Sequence, residues 1–467
     1  MNSRSTDDFT SHLPRKVYFV GAGGIGMAAL ERYFLSRGCL VAGYDRTPSE
    51  LTDALRAEGV DMVFDDDPAL IPDEIRNDKS TLVVYTPAVP ASHRGLRFFR
   101  DNGFTVMKRA EVLGLLTRHL QGICFSGTHG KTTTSSMAAH ILHNSPCGCT
   151  AFLGGILRNY STNCILDKDA DLCVIEADEY DRSFHHLTPR VAVVTATDPD
   201  HLDIYGTEEA YLESFAHFTE LIQPGGGLLL HTGLKLKPRP GKDVTVRTYS
   251  RDNGDYHAEN IRHGEGRIIF DIVTPAGVIR DVELGLPVEI NIENAIAAVG
   301  AIDMAGALDP EAARRALASF AGPKRRFEFW LHEPSRAIID DYAHHPDELK
   351  ASISSVRSLY PGKKLTVAFQ PHLFTRTRDF ADQFAEALSM ADQVILLPIY
   401  PARELPIEGV DASIILKKIT ASDKKLLQSR KDLPMEVKSS NFEVLLTVGA
   451  GDICLELPEI IKEATNS

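Results

Sequence analysis

A multidomain α/β fold is predicted by three observations. Short apolar runs such as residues 191–194 alternate with helical stretches along most of the chain, glycine-rich turns at residues 21–26 and 127–130 each join such a run to a helix, and polar clusters recur where the runs end. At 467 residues the chain is too long for one hydrophobic core, so two to four domains are expected.

The first run, residues 16–20, reads as a strand, followed by the turn Gly21, Ala22, Gly23, Gly24, Ile25 and Gly26 and a helix over 27–36. Glycines there allow a tight turn and the close approach of a diphosphate to the positive end of the helix. A strand over 40–44 ends at Asp45, where dinucleotide folds place a ribose-binding acid. NAD, FAD or a UDP-sugar would satisfy this pattern equally. Strands over 81–85 and 104–107 lead into Thr86 with Pro87 and into Lys108 with Arg109, both candidate ligand loops.

The second glycine turn is more informative. A strand over 122–125 leads into Gly127, Thr128, His129, Gly130, Lys131, Thr132, Thr133 and Thr134, and a helix is expected over 135–142. Its backbone amides can face phosphates, Lys131 can reach the terminal ones, and the Thr132 hydroxyl is placed to hold magnesium. The usual P-loop has a glycine where this chain has Phe125. Further strands over 172–175 and 191–194 end in an acidic cluster opened by Glu176 and in a segment where His201 stands between acids. A lysine loop, an acidic cluster and an acid-flanked histidine at successive strand ends suit phosphoryl transfer, in which the protein mainly positions charge around a metal.

After a break at residues 225–227, short β-like alternation fills 244–286, and Asn291 and Asn294 precede a helix over 295–304. A helix over 310–320 ends at Gly322-Pro323, the second domain boundary. A third α/β unit begins at Lys324, Arg325 and Arg326. Its strands over 337–339 and 365–369 end in Asp340, Asp341, Tyr342, His344 and His345 and in Gln370, His372 and Arg376, and a last strand covers 444–448.

Bulk properties exclude several classes. A formal net charge of −14 argues against nucleic acid, whose binding relies on clustered Lys and Arg. The first 14 residues lack the apolar stretch of a secretory signal, and no run is long enough to span a membrane. Seven scattered cysteines fit a reducing cytoplasm; Cys147 and Cys149 have no second Cys or His pair at zinc-like spacing.

Together these stretches resemble the Mur ligase family along nearly the whole chain. The residues that carry the resemblance lie at 21–27, 127–134, 176–181, 200–203, 325–327, 340–346, 369–376 and 449–452. It implies three domains: an N-terminal Rossmann-like domain for a UDP-substrate (1–116), a central P-loop α/β ATPase domain (117–321) and a C-terminal Rossmann-like α/β domain binding ATP and amino acid (322–467). The implied reaction is ATP-dependent ligation of L-alanine to the carboxylate of UDP-N-acetylmuramate through an acyl phosphate, with ATP and two Mg2+ ions, in a cytoplasmic monomer or homodimer. His129 and the pair His344 and His345 point to alanine as the amino acid.

By resemblance, Lys131 stabilises the transferring phosphoryl group, Thr132 and Glu176 hold one magnesium ion and His201 a second, and residues 127–133 cradle the nucleotide. Gly21, Gly23, Gly24, Ile25 and Gly26, with Asp45, Thr86, Pro87 and Arg109, would face the UDP-substrate. Asn291 and Asn294 would contact adenine, Arg326 the phosphates and Asp341 the ribose; Tyr342, His344, His372 and Arg376 would surround the amino acid. Departures from the family pattern are Leu373 in place of a basic residue, Ile290 in place of a histidine, and Tyr180 in place of a small polar residue. Residues 205–223 contain no lysine, so no carbamylated lysine is expected. Competing readings are a muropeptide-recycling ligase that adds a tripeptide to the same nucleotide and an NAD-dependent oxidoreductase.

Overall fold

The computed structural model describes residues 13–465 apart from 200–201, 265–266, 334–335 and 403. Its first sheet contains β1 (Lys16–Val20), β2 (Leu40–Tyr44), β3 (Asp61–Val63), β4 (Leu82–Tyr85) and β5 (Thr105–Lys108) in the order β3-β2-β1-β4-β5, all parallel. Strand order reverses between β1 and β4, which opens a crevice at their carboxyl ends. Helix α1 (Ile25–Ser36) follows β1 directly, and α2 (Arg109–His119) follows β5.

The second sheet contains β6 (Gln121–Ser126), β7 (Thr150–Leu157), β8 (Thr162–Ile165), β9 (Leu172–Glu176), β10 (Val191–Val194), β11 (Gly227–His231) and β12 (Thr245–Tyr249). Its order is β12-β11-β10-β6-β9-β7-β8, parallel except for the β7–β8 pair. Strand β6 is central, and Ile123, Cys124 and Phe125 are fully buried within it. Phe125 is therefore part of the strand beneath the glycine turn, a site too crowded to form part of a phosphate loop. Helix α3 (Lys131–His143) opens at Lys131, four residues earlier than the sequence suggests. Three consecutive threonines have modest helix propensity, but burial of Thr134, Ser135 and Ser136 against the sheet overrides it.

A three-stranded sheet, β13 (His257–Gly264), β14 (Arg267–Thr274) and β15 (Gly277–Glu283), precedes α4 (Ile290–Met304). That helix likewise starts early, with Asn291 and Asn294 inside its first turns. The last sheet contains β16 (Glu328–His332), β17 (Ala337–Asp341), β18 (Leu365–Phe369), β19 (Gln393–Leu396), β20 (Asp423–Leu426) and β21 (Val444–Val448), in the order β16-β17-β21-β18-β19-β20. Only the β16–β17 pair is antiparallel. Asp341, Val448 and Phe369 lie in register at one edge, so three strand ends converge there. Helix α5 (Pro346–Leu359) leaves that edge.

The chain divides into two compact units, one comprising residues 1–259, 271–282 and 292–320, the other 260–270, 283–291 and 321–467. Among the described residues no helix is long and apolar enough to cross a membrane.

Candidate active site

In the first unit, two glycine turns present helix starts. At the first, the amides of Gly21 and Ala22 donate to the Tyr44 carbonyl and that of Gly23 to Asp45 Oδ2 at 2.7 Å. Asp45 thus folds back onto the turn and fixes its shape. Gly21 has φ +90°, and a Cβ there would meet Thr86 Cγ2 at 2.5 Å, so Thr86 packs directly on the turn; Pro87, next in the chain, is exposed. A Cβ at Gly26 would strike the guanidinium of Arg109, whose central carbon lies 3.0 Å from that position. Gly24 caps α1, so the first amides of the helix, those of Ile25 and Gly26, have no helical carbonyl to bind. A cation beside free amides at a helix start is an anion receptor.

At the second turn, Gly127 has φ +133° and Gly130, the N-cap of α3, φ +82°. The Thr128 amide donates to the Ala196 carbonyl at 3.0 Å, and its hydroxyl to the Asp198 carbonyl at 2.7 Å. Thr195 Oγ1 donates to the His129 carbonyl, and the His129 side chain is exposed. Thr133 lies in the first turn of α3. Lys131 Nζ donates to the Gly127 carbonyl at 2.6 Å and to Glu179 Oε1 at 2.9 Å. Thr134 Oγ1 donates to Asn294 Oδ1 at 3.0 Å, so Asn294 does stand beside the turn. In the other unit, Asn291 donates to the Leu286 carbonyl at 3.1 Å.

Glu176, at the end of β9, accepts from Thr132 Oγ1 at 3.0 Å and from the Gly154 amide at 3.0 Å. Loss of water around its carboxyl pushes its pKa up, opposed by Lys131. A hydroxyl and a carboxylate oxygen side by side are the hard donors magnesium takes when phosphates and water fill its other positions. Among the described residues there is no cluster of three or more His, Cys, Asp or Glu able to hold a metal. His201, the other metal residue expected from the sequence, lies outside the described residues. Arg109, Glu176 and Asp178 line one cleft, which brings the first turn's cation close to the second turn's acids.

The second unit gathers a separate cluster. His344 Nδ1 donates to the Tyr342 carbonyl at 3.0 Å, and its own amide donates to Glu348 Oε2 at 3.0 Å. Burial lowers its pKa, so the ring is neutral with the Nε2 lone pair free to accept. Burial and the nearby Arg376 lower His372 to about 4. Its ring is stacked on Tyr400 and lies 6.0 Å from that of His344. Arg376 Nη1 is 3.5 Å from His372 Nδ1. Leu373 caps the Arg376 helix at φ +71°. Arg325 and Arg326 both lie over the Tyr342 ring, at 4.9 and 5.5 Å.

Asp341 accepts from the Phe327 amide at 3.2 Å and from Ser352 Oγ, and burial raises its pKa. Asp340, fully buried, is pushed up to about 6 by burial; Thr447 and Arg325 donate to it. Glu179, Gly154, Glu348 and Arg325 have no role assigned from the sequence. Glu179 and Arg325 stand within clusters it singled out, whereas nothing in the sequence marks the Gly154 amide.

Three family models cover this architecture. Residues 16–121 match "Mur ligase family, catalytic domain", 125–302 "Mur ligase middle domain", and 325–451 "Mur ligase, glutamate ligase domain". A UDP-N-acetylmuramate--L-alanine ligase of Phocaeicola vulgatus is 54% identical over 446 residues, covering 96% of this chain and 97% of the relative. The chain belongs to the Mur ligase family. As a Mur ligase it is an amide-forming, ATP-dependent enzyme. The enzyme of the same name from Parabacteroides distasonis is 56% identical over 448 residues, 96% of both chains. Among solved structures, UDP-N-acetylmuramate-alanine ligase from Thermotoga maritima aligns with this Mur ligase at TM-score 0.79 and 26% identity, over 97% of this chain and 99% of that one. A murein peptide ligase from Psychrobacter arcticus shares the fold at TM-score 0.62 and 19% identity, with the same coverage.

Proposed function

We infer that this Mur ligase joins L-alanine to the carboxylate of UDP-N-acetylmuramate with conversion of ATP to ADP and phosphate, in peptidoglycan precursor synthesis in the cytoplasm. The observation that carries the reading is the meeting of Lys131, Thr132 and Glu176 at adjacent strand ends, in a chain more than half identical to ligases of that name.

The N-terminal domain (1–116) takes the UDP moiety on residues 21–26, with Arg109 near the diphosphate. The central domain (117–321) holds ATP on the second glycine turn, and the C-terminal domain (322–467) supplies Arg326 and Asp341 to the nucleotide and binds alanine. Asn291 and Asn294 serve the adenine.

Thr132 and Glu176 would hold one magnesium ion and His201 would help hold a second, which would neutralise phosphate charge. Lys131 stabilises the γ-phosphoryl as it passes to the muramyl carboxylate. Arg376 pairs with the alanine carboxylate bidentately, which compensates for Leu373. His344 Nε2 is a neutral acceptor for the proton that the alanine ammonium must lose before its amine attacks the acyl phosphate. Collapse of the tetrahedral intermediate expels phosphate and leaves the amide.

The test is a panel of amino acids supplied with ATP, magnesium and UDP-N-acetylmuramate, scored by product mass. L-alanine should give the dominant adduct. Phosphate release without that adduct, or preference for a tripeptide, would remove the reading. Sedimentation decides between monomer and homodimer.

A further inference from the structure

Glu179 stands three residues beyond Glu176, and the reaction as described leaves it without a part. Its side chain is 1% exposed, and the Lys131 ammonium lies 2.9 Å from Oε1 and 2.9 Å from Oε2. Lys131 is its only ion-pair partner among the described residues. The same ammonium donates to the Gly127 carbonyl. With one N–H on Glu179 Oε1 and one on the Gly127 carbonyl, and Oε2 engaged only as an ion pair, the ammonium keeps a third N–H for a phosphate oxygen. The backbone that carries it is held as well: the Glu179 carbonyl accepts from Tyr205 Oη at 2.5 Å and from the Arg182 amide at 3.0 Å. Asp181 and Arg182 follow at φ +51° and +54°, turning the chain sharply away.

We propose that Glu179 is a positioning residue for phosphoryl transfer: its buried carboxylate fixes the Lys131 ammonium at the mouth of the glycine turn, where charge develops on the transferring group. The proposal rests on the reading of Lys131 as the phosphate-facing lysine.

It separates two quantities that a merely structural role would move together. A carboxylate next to the phosphates opposes ground-state binding by Coulomb repulsion, yet it aids the transition state by holding the lysine in place. Removing its charge therefore lowers kcat without weakening the nucleotide complex.

Glu179→Gln keeps the shape and removes the charge. In the full-length enzyme, kcat should fall about ten- to a hundredfold, as expected when a transition-state group is misplaced. The dissociation constant for a non-hydrolysable ATP analogue with magnesium, read by calorimetry, should stay within about twofold or tighten. Glu179→Asp, charged but one methylene shorter, should recover part of kcat with the same affinity, and it carries the test alone should the Gln variant not fold. Wild-type kcat in Glu179→Gln, an affinity loss in step with kcat, or an Asp variant no better than the Gln variant would each overturn the proposal. A wild-type chain that binds no nucleotide would instead overturn the proposed function.

Discussion

The two glycine turns of the first unit are built alike and equipped differently. Each joins a buried parallel strand to a helix, and each needs a glycine at positive φ, Gly21 in one and Gly127 in the other. At the first, the shaping carboxylate, Asp45, is spent on the turn's own Gly23 amide, and the neighbouring cation, Arg109, comes from another strand end. At the second, the cation grows from the turn itself and is held by Glu179, while a second carboxylate, Glu176, is held by Thr132 and Gly154. A glycine turn by itself receives a diphosphate. On the proposed function, what would make the second a reaction centre is the set of side chains delivered by adjacent strand ends.

The sharpest way to break this comparison is Lys131→Ala. Loss of a transition-state charge stabiliser should lower kcat by about 100- to 1000-fold in a folded protein; near-normal turnover would place the two turns on an equal footing as mere binding loops. Next is Gly154→Ala. The new Cβ would lie 2.6 Å from Glu176 Cδ and displace the carboxylate. The magnesium concentration for half-maximal rate should rise about tenfold, typical of losing a partner that orients a metal ligand.

A matched pair then contrasts the turns directly. Gly127→Ala puts a side chain at φ +133°, with its Cβ 2.7 Å from the Ala196 amide nitrogen, and should cost about 1–3 kcal/mol in chemical denaturation. Gly26→Ala meets only the movable end of Arg109 within a helix. It should leave stability unchanged or raise it by up to ~1 kcal/mol, while the KM for UDP-N-acetylmuramate rises several-fold.

The smallest effect concerns the helices behind the turns, each of which carries a buried ionisable group. Glu31 on α1 is fully buried, and burial raises its pKa well above the usual range. On α3, His140, bonded to Tyr160 and Ser319, is lowered to about 4 by burial. Between pH ~6.5 and 4 the unfolded chain binds a proton at His140 that the folded chain refuses, so stability falls as pH falls through that window. His140→Gln should flatten that slope by at most ~1.4 kcal/mol per pH unit and leave kcat at neutral pH unchanged. Denaturation midpoints at a series of pH values would show it.

Much of the fold was legible because buried parallel strands read as unbroken apolar runs: β1, β2, β10, β18 and β21 begin and end where the runs do. Helix starts were less legible. α3 and α4 begin four and five residues early because polar residues that look like loop, among them Thr134, Asn291 and Asn294, are buried in the helix and bonded there, as Thr134 is to Asn294. Lys131, Thr132 and Glu176 could be singled out because they stand at strand ends, and the structure bonds Thr132 to Glu176 there. The pairing of Lys131 with Glu179, 48 residues on, could not, since it depends on β6 and β9 lying side by side. The hold of Gly154 on Glu176 is invisible in the same way: a backbone amide has no residue type to recognise.

The two bonds on Glu176 bear on how this enzyme fails. Immobilising a glutamate side chain costs up to ~1.5–2 kcal/mol of rotamer entropy, and here that loss is incurred when β7 and β9 come together in folding, before any ligand arrives. Site assembly and chain folding are thus a single equilibrium at this point. Heating or denaturant that loosens the β7–β9 pairing should abolish turnover before the rest of the first unit unfolds.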